Sequence, residues 1–363
     1  MRVTRQPVLK ASDEFVGEWR HLEDHSVEGN AFLSPDFILP AVRHLTPKTR
    51  VVTLAVRQDE DLVGLGVFEE LAPTLRIPVV HYRAYRCEHT YMSGLLVRDG
   101  HVANVANALF AWFRARRRVI GAVEFFARSA EGPLAVALQE ASVANRCGWV
   151  EYEAFERATV SPSLITDELL TQVWSKNQRN KARRYARDLG RMGEVSYRTV
   201  FNRDGWDAPT NKFIELESMG WKGEADSAIA SARYREAFYR EMVDGFARRG
   251  KSYFSQLRCG EQVVATSTNF VSGSVGFGFK IGWHSEFADA SPGTLHEHEY
   301  IRTSATDLAG VRFVDATADP GSFVDKIWPH RRSMTSGAFA TGRASALLLR
   351  NLRKVADRRA SEA

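Results

Sequence analysis

The residues whose types and spacing could do chemistry crowd into one stretch, 277–294. An apolar, glycine-punctuated run carrying Lys280 and Gly282 reads as a strand that ends near Trp283. His284 and Ser285 begin a short polar turn, and Ser291-Pro292-Gly293-Thr294 opens an amphipathic run over 296–308. A strand, a turn and a fresh helix N-terminus make an anion site, because the first helical amides lack intrahelical partners and the helix dipole adds partial positive charge. Proline suits the first helical turn, where its missing N–H is not needed. Gly293 lets a ligand come close to the backbone. On this reading Ser291, Gly293, Thr294 and Leu295 cradle a phosphate, and Lys280 points into the same cleft. The same residues also fit an ordinary capped strand-to-helix turn.

Three side chains have the chemistry of a general base: Glu215, His284 and Asp315. A histidine titrates nearest neutral pH, and a carboxylate beside an apolar ring such as Trp221 has its pKa raised. Each also has a structural reading, as a surface helix carboxylate, a turn residue and a strand-end cap respectively. Trp221 and Lys222 lie in a loop, Lys326 and Trp328 follow the Asp315 strand, and Tyr300 lies on the helix that Pro292 opens. The run His296-Glu297-His298-Glu299 is not read as a zinc site, since histidines at i and i+2 on a helix face apart. No Gly-x-Ser-x-Gly elbow, Walker loop or dinucleotide fingerprint occurs.

The elements that must position these residues come in two similar series. Helical periodicity over 13–21 and 34–45 precedes strands over 51–56, 62–71, 77–84 and 94–97. A helix over 102–117, a strand over 122–126, a helix over 133–146 and a strand over 149–160 follow. Strand, helices, a three-strand meander over 252–283, helix, strand and short helix then return in like order. A repeated element order predicts a duplicated α/β unit, with an N-terminal domain 1–160, a bridging basic helix in 161–193, and a C-terminal domain 194–363 carrying the site. The chain of 363 residues, 44% apolar and 26% charged, is ordinary for a globular protein. Scattered cysteines (Cys87, Cys147 and Cys259), no hydrophobic leader and no long apolar run lead to the expectation of a cytoplasmic protein without disulfides.

The helix predicted over 167–191 carries Lys176, Arg179, Lys181, Arg183, Arg184, Arg187 and Arg191 against Asp188 alone. Ala182, Tyr185, Ala186, Leu189 and Met192 give it one apolar side. It is either a solvated face or a contact to a phosphate-bearing ligand, to tRNA or to an anionic membrane surface. Net charge of +5 and pI near 9.1 favour anionic partners without deciding among them.

The segment 176–184 resembles the arginine-rich helix of the CelD/BcsL-type, cellulose-biosynthesis-associated N-acyltransferases. That family's further signposts follow in order: Glu215 to Gly223, Lys280-Ile281-Gly282, Ser291-Pro292-Gly293, and Asp315 followed by Lys326-Ile327-Trp328. The resemblance implies an α/β (α+β) fold of two tandem GNAT-like domains as in FemAB-type peptidyltransferases, each a mixed, mostly antiparallel sheet flanked by helices. It also implies acyl transfer from acyl-CoA (acetyl-CoA or longer) as co-substrate, without metal, to an amine of a small molecule or of a saccharide or envelope precursor. On that implication Trp221 and Lys222 could wall the acceptor pocket, Lys326 and Trp328 could touch the donor, and Tyr300 could protonate the leaving thiolate. Two departures stand out: His284 and Ser285 replace the family's acidic residue, and the glycine-rich pyrophosphate loop of single-domain GNAT enzymes is missing. A FemAB-like transferase using aminoacyl-tRNA and a non-catalytic scaffold of an envelope or polysaccharide system stay open as alternatives.

Overall fold

The structure, a computed structural model, describes residues 1–75, 77–201, 205–219 and 228–361, with side chains of the last helix as far as residue 353. Its contacts divide the chain into two compact units, Met1–Glu156 with Arg332–Ala363, and Arg157–Arg331.

The first unit is built on β1 (Arg2–Pro7), β2 (Val51–Gln58), β3 (Asp61–Leu71), β4 (His81–Ala84), β5 (Leu96–Val97), β6 (Ala122–Ser129) and the first part of β7 (Gly148–Val160). β2 and β3 form a hairpin turned at Asp59, whose φ of 52° is one that aspartate tolerates. Both strands are buried along most of their length, so they read as continuous apolar runs. β1 escapes sequence reading because it is an edge strand of mostly exposed polar residues, fixed only by pairing with β2 (Val3 opposite Val56). β4 and β6 lie parallel, with the helix Val102–Ala115 between them in sequence. Phe68, Phe113, Phe125 and Phe339 share the core.

The second unit holds β8 (Val195–Val200), β9 (Ser252–Cys259), β10 (Gln262–Ser272), β11 (Val275–Trp283) and β12 (Phe313–Asp315). β8 to β11 are successive antiparallel neighbours; β12 runs parallel to β11, and the end of β7 pairs antiparallel with β12. The chain then returns to the first unit as β13 (His330–Ala340), which pairs with β6. The expected domain 194–363 therefore does not match the contacts. Residues 332–363 belong to the first unit, and the expected bridge 161–193 falls within the second. A short strand at the end of the chain gives no local sign of which sheet it will join.

The long basic helix is in fact two, Asp167–Val173 and Lys176–Gly190. Ser175 and Gln178 form a capping box, with Gln178 N–H donating to Ser175 Oγ (3.2 Å) and Ser175 N–H to Gln178 Oε1 (2.8 Å). Trp174, just before the break, turns inward and donates its Nε1–H to the Ile327 carbonyl at 2.7 Å. Tyr185, Ala186 and Leu189 pack as expected, whereas Met192 lies beyond the helix and is exposed.

The helix Asp207–Ser218 approaches β11 so closely that a Cβ on Gly282 would lie 2.6 Å from the Glu217 amide nitrogen. Gly282 thus serves helix-on-strand packing, not a departure of the strand from its neighbour. Gly282→Ala is expected to lower stability by about 1–3 kcal/mol, as overpacking does, in urea denaturation. Gly310→Ala, whose methyl would meet nothing, should stay within about 0.5 kcal/mol of the parent.

Candidate active site

β11 and β12 pair over three positions, Val275 with Phe313, Gly276 with Val314 and Phe277 with Asp315. β12 then ends, while β11 runs on to Trp283. At the parting point Thr317, in the left-handed region with φ of 54°, donates its Oγ1–H to the Gly278 carbonyl and its N–H to Asp315 Oδ1 (2.8 Å). Beyond Phe277 and Asp315 the two strands no longer pair. β11 also bulges at Phe279, because the register passes from Thr268–Lys280 to Asn269–Gly278. Such bulges re-aim side chains beside sites.

At the open end lies a cleft of about 450 Å³, with Glu217, Ile281, Trp283, Ser291, Gly293, Thr294 and Phe323 among its walls. Ser291 joins the short turn Ser285–Ala290 to the helix Pro292–Asp307 in a left-handed conformation, φ 45°. Non-glycine residues held there store strain and cluster at ligand sites. The amides of Gly293 and Thr294 make no hydrogen bond among the described residues. A Cβ on Gly293 would sit 3.3 Å from Trp283 Cδ1, so the missing side chain keeps the helix tip open beside the indole. Leu295 does not share the role expected of it: its N–H donates to the Ser291 carbonyl (3.1 Å), and its side chain is in the core.

Lys280 and Glu217 form a buried ion pair at 3.0 Å, with side chains 9% and 0% exposed. Glu217 Oε2 also accepts the Ile229 N–H at 2.8 Å. The lysine therefore turns to a protein carboxylate, and Glu217, its side chain fully buried, belongs to the cleft wall. Glu217 escaped the sequence reading, although Thr210, Phe213, Ile214 and Glu217 are spaced as the inward stripe of this helix and all are buried. That stripe was the available signal, and it leaves Glu215 outside.

Glu215 is exposed and pairs with Lys212 at 2.5 Å, so it is the surface carboxylate of its helix. His284 Nδ1 accepts the Glu286 N–H at 3.3 Å, which puts the neutral ring's proton on Nε2. The ring, packed edge-on against Phe287, thus offers a donor where a base needs an acceptor. Asp315 is fully buried, accepts from Thr317 and lies 3.8 Å from Arg157 Nε. It closes the strand end. Trp328 is buried, donates Nε1–H to Glu297 Oε2 (2.8 Å) and stacks on Tyr300. Lys326 is exposed, and its carbonyl accepts from Gln178 Nε2. Tyr300 is buried, shares a 2.8 Å hydrogen bond with Tyr253 and has its hydroxyl pKa pushed well up by burial, so it is no ready acid for a thiolate. Trp221 and Lys222 lie outside the described residues. The geometry brings together Ser291, Gly293 and Thr294, with Lys280 behind Glu217, and sets the other described candidates in structural roles.

In the first unit the equivalent parallel strands, β4 and β6, pair as far as Arg83 with Glu124. There Ser93 fills the parting: its N–H donates to the Phe126 carbonyl (3.2 Å), and Phe126 N–H donates to Ser93 Oγ (3.1 Å). A void of about 10 Å³ remains, lined by Glu28, Ser93 and Arg128 among others. That is room for no more than a water.

Comparison with known proteins bears on the fold. A family model described as an acetyltransferase (GNAT) domain matches residues 176–321, which span the cleft. No curated protein matches the sequence. Among solved structures, FemX is 12% identical with a TM-score of 0.58, over 96% of this chain and 98% of that one. A conserved protein of unknown function from Bacteroides thetaiotaomicron is 12% identical (TM-score 0.57, 90% of this chain and 97% of that one). L-PGS from Bacillus licheniformis is 13% identical (TM-score 0.52, 94% and 96%). The fold is thus a mixed α/β one, GNAT-like, with mostly antiparallel sheet flanked by helices.

Two outcomes follow. Glu217→Ala leaves the Lys280 ammonium buried without its partner and is expected to lower stability by about 3–5 kcal/mol; Glu215→Ala should change it by less than about 0.5 kcal/mol. His298, edge-on to Trp174, has its pKa lowered from 6.5 by burial, against the pull of Glu297 and Glu299. The unfolded chain therefore binds the proton more readily, and stability is expected to fall as pH drops below about 6.5. Urea midpoints measured between about pH 7.5 and 5 should show that slope, and His298→Gln should flatten it.

Proposed function

We propose that this chain is an N-acyltransferase that moves an acyl group from acyl-CoA to an amine of a small molecule or of a saccharide or envelope precursor. The parting of β11 from β12 beside the open tip of the Pro292–Asp307 helix carries this reading. The residues present fit the donor. The unengaged Gly293 and Thr294 amides, at the positive end of the helix dipole, suit a pyrophosphate. An extended thioester arm suits the cleft beside β11, which Ile281 and Trp283 line. Bound acyl-CoA would supply the activated thioester for attack by an amine nitrogen at its carbonyl carbon, with the carbon–sulfur bond broken and the amine's proton passing to the released thiolate.

In this reading the Glu217–Lys280 pair holds the wall beside the place where the acceptor meets the donor. The match of residues 176–321 to the GNAT model supports acyl transfer. The ordered Lys280-Ile281-Gly282, Ser291-Pro292-Gly293 and Lys326-Ile327-Trp328 motifs support the CelD/BcsL branch. The fold shared with FemX and L-PGS keeps an aminoacyl-tRNA donor as the reading to test against.

Calorimetric titration decides between donors. The protein is expected to bind CoA and acetyl-CoA, and Gly293→Val, which fills the space beside Trp283, should weaken binding at least about tenfold, or about 1.4 kcal/mol. No binding of any CoA thioester, with a thermal shift from aminoacyl-tRNA alone, would replace the proposal by the FemAB-like one. No response to either donor would leave a scaffold.

A further inference from the structure

The basic helix Lys176–Gly190 is not used by this chemistry. At about 100° per residue, Lys176, Arg183, Arg184, Arg187 and Arg191 fall within an arc of roughly 100°. The arc lies opposite Tyr185, Ala186 and Leu189, which are packed on the core beneath. All five cations are exposed. They make a straight row of roughly 22 Å at 1.5 Å rise per residue. The only acidic residue within 176–191, Asp188, sits at the edge of the arc and pairs with Arg191 at 3.2 Å. Glu286 and Asp289, on the adjacent turn Ser285–Ala290, form no ion pair with the row among the described residues. The helix rests on that turn and on the Pro292–Asp307 helix, the two elements joined at Ser291 in the cleft.

We propose that this row is a docking surface for an anionic lipid bilayer, and that it brings the cleft to an acceptor amine held at that surface. The acceptor's place rests on the transferase reading; the surface itself does not. Charge complementarity selects an anionic partner, since each cation near such a surface adds favourable binding free energy. Shape selects a plane. The row stands on the convex side of one straight helix, and a convex line of cations can meet a flat anionic layer along its whole length. Single-stranded nucleic acid is gripped instead in a groove with exposed rings for stacking. Here the ring on this helix, Tyr185, is half-buried on the packed side, with the Arg184 guanidinium 5.1 Å from its centroid. The row can hold the protein on a surface without any helix entering the bilayer, and no described helix is long and apolar enough to cross one.

Co-sedimentation of the full chain with vesicles tests the proposal. Vesicles of phosphatidylcholine with a quarter phosphatidylglycerol should retain the protein at low salt, and vesicles of phosphatidylcholine alone should not. Neutralising three cations in Arg183→Gln/Arg184→Gln/Arg187→Gln should weaken binding by on the order of a hundredfold, with the melting temperature and the CoA titration unchanged, because these side chains project into solvent. High salt should release the parent protein. Absence of vesicle binding at low salt, or equal binding by the triple variant, would overturn the proposal. So would salt-sensitive binding of tRNA, lost in the triple variant, without vesicle binding. Intact CoA binding beside failed vesicle binding would sink the surface and spare the transferase.

Discussion

The second unit depends on the contact between the helix Asp207–Ser218 and β11. Helix backbone and strand backbone meet there with no room for a methyl group at Gly282. Just beside that contact, the Lys280 ammonium and Glu217 carboxylate are taken out of water together. Such a pair contributes little net free energy, because desolvation offsets most of the attraction. Its weight lies in exclusion: any other register of helix on strand would bury one charge alone. A third partner, the Ile229 amide, is fixed by the same carboxylate. The wall of the cleft is set by this contact.

The opposite side of the gap is held by different means. β12 is short, and Asp315 at its end is buried near Arg157 and accepts the amide of the strained Thr317. Thr317 in turn ties the turn to β11 at Gly278. One side of the opening is thus an ion pair between helix and strand, and the other a hydrogen-bonded turn that stops a strand early.

The two units carry a like strand arrangement with different openings. Both have a parallel strand pair joined through a helix. In the first, Ser93 supplies the missing partner for Phe126, and the gap closes to a void of water size. In the second, the connection leaves β11 as a short turn and re-enters as a helix at Pro292, so the space stays open. The difference lies in how a connecting segment is routed, not in the strands themselves.

Sequence alone determined the elements around the site. Apolar alternation, the Asp59 turn and the Pro292 helix start are local signals, and local physics acts on neighbours in the chain. It also marked Ser291, Gly293 and Thr294, since a helix N-terminus is the same object wherever it packs. The break at Ser175 also has a local signal, the Ser-x-x-Gln spacing, which the reading of one helix over 167–191 passed over. Only tertiary structure decided which carboxylate turns inward, because Glu215 and Glu217 are chemically alike and differ by about 200° around one helix. It decided likewise that Lys280 answers to Glu217, that Asp315 and Trp328 are walled in, and that the last strand returns to the first unit. Each depends on which surfaces meet across long stretches of chain, and that is settled by the sum of packing and desolvation over the whole fold, which no single segment carries.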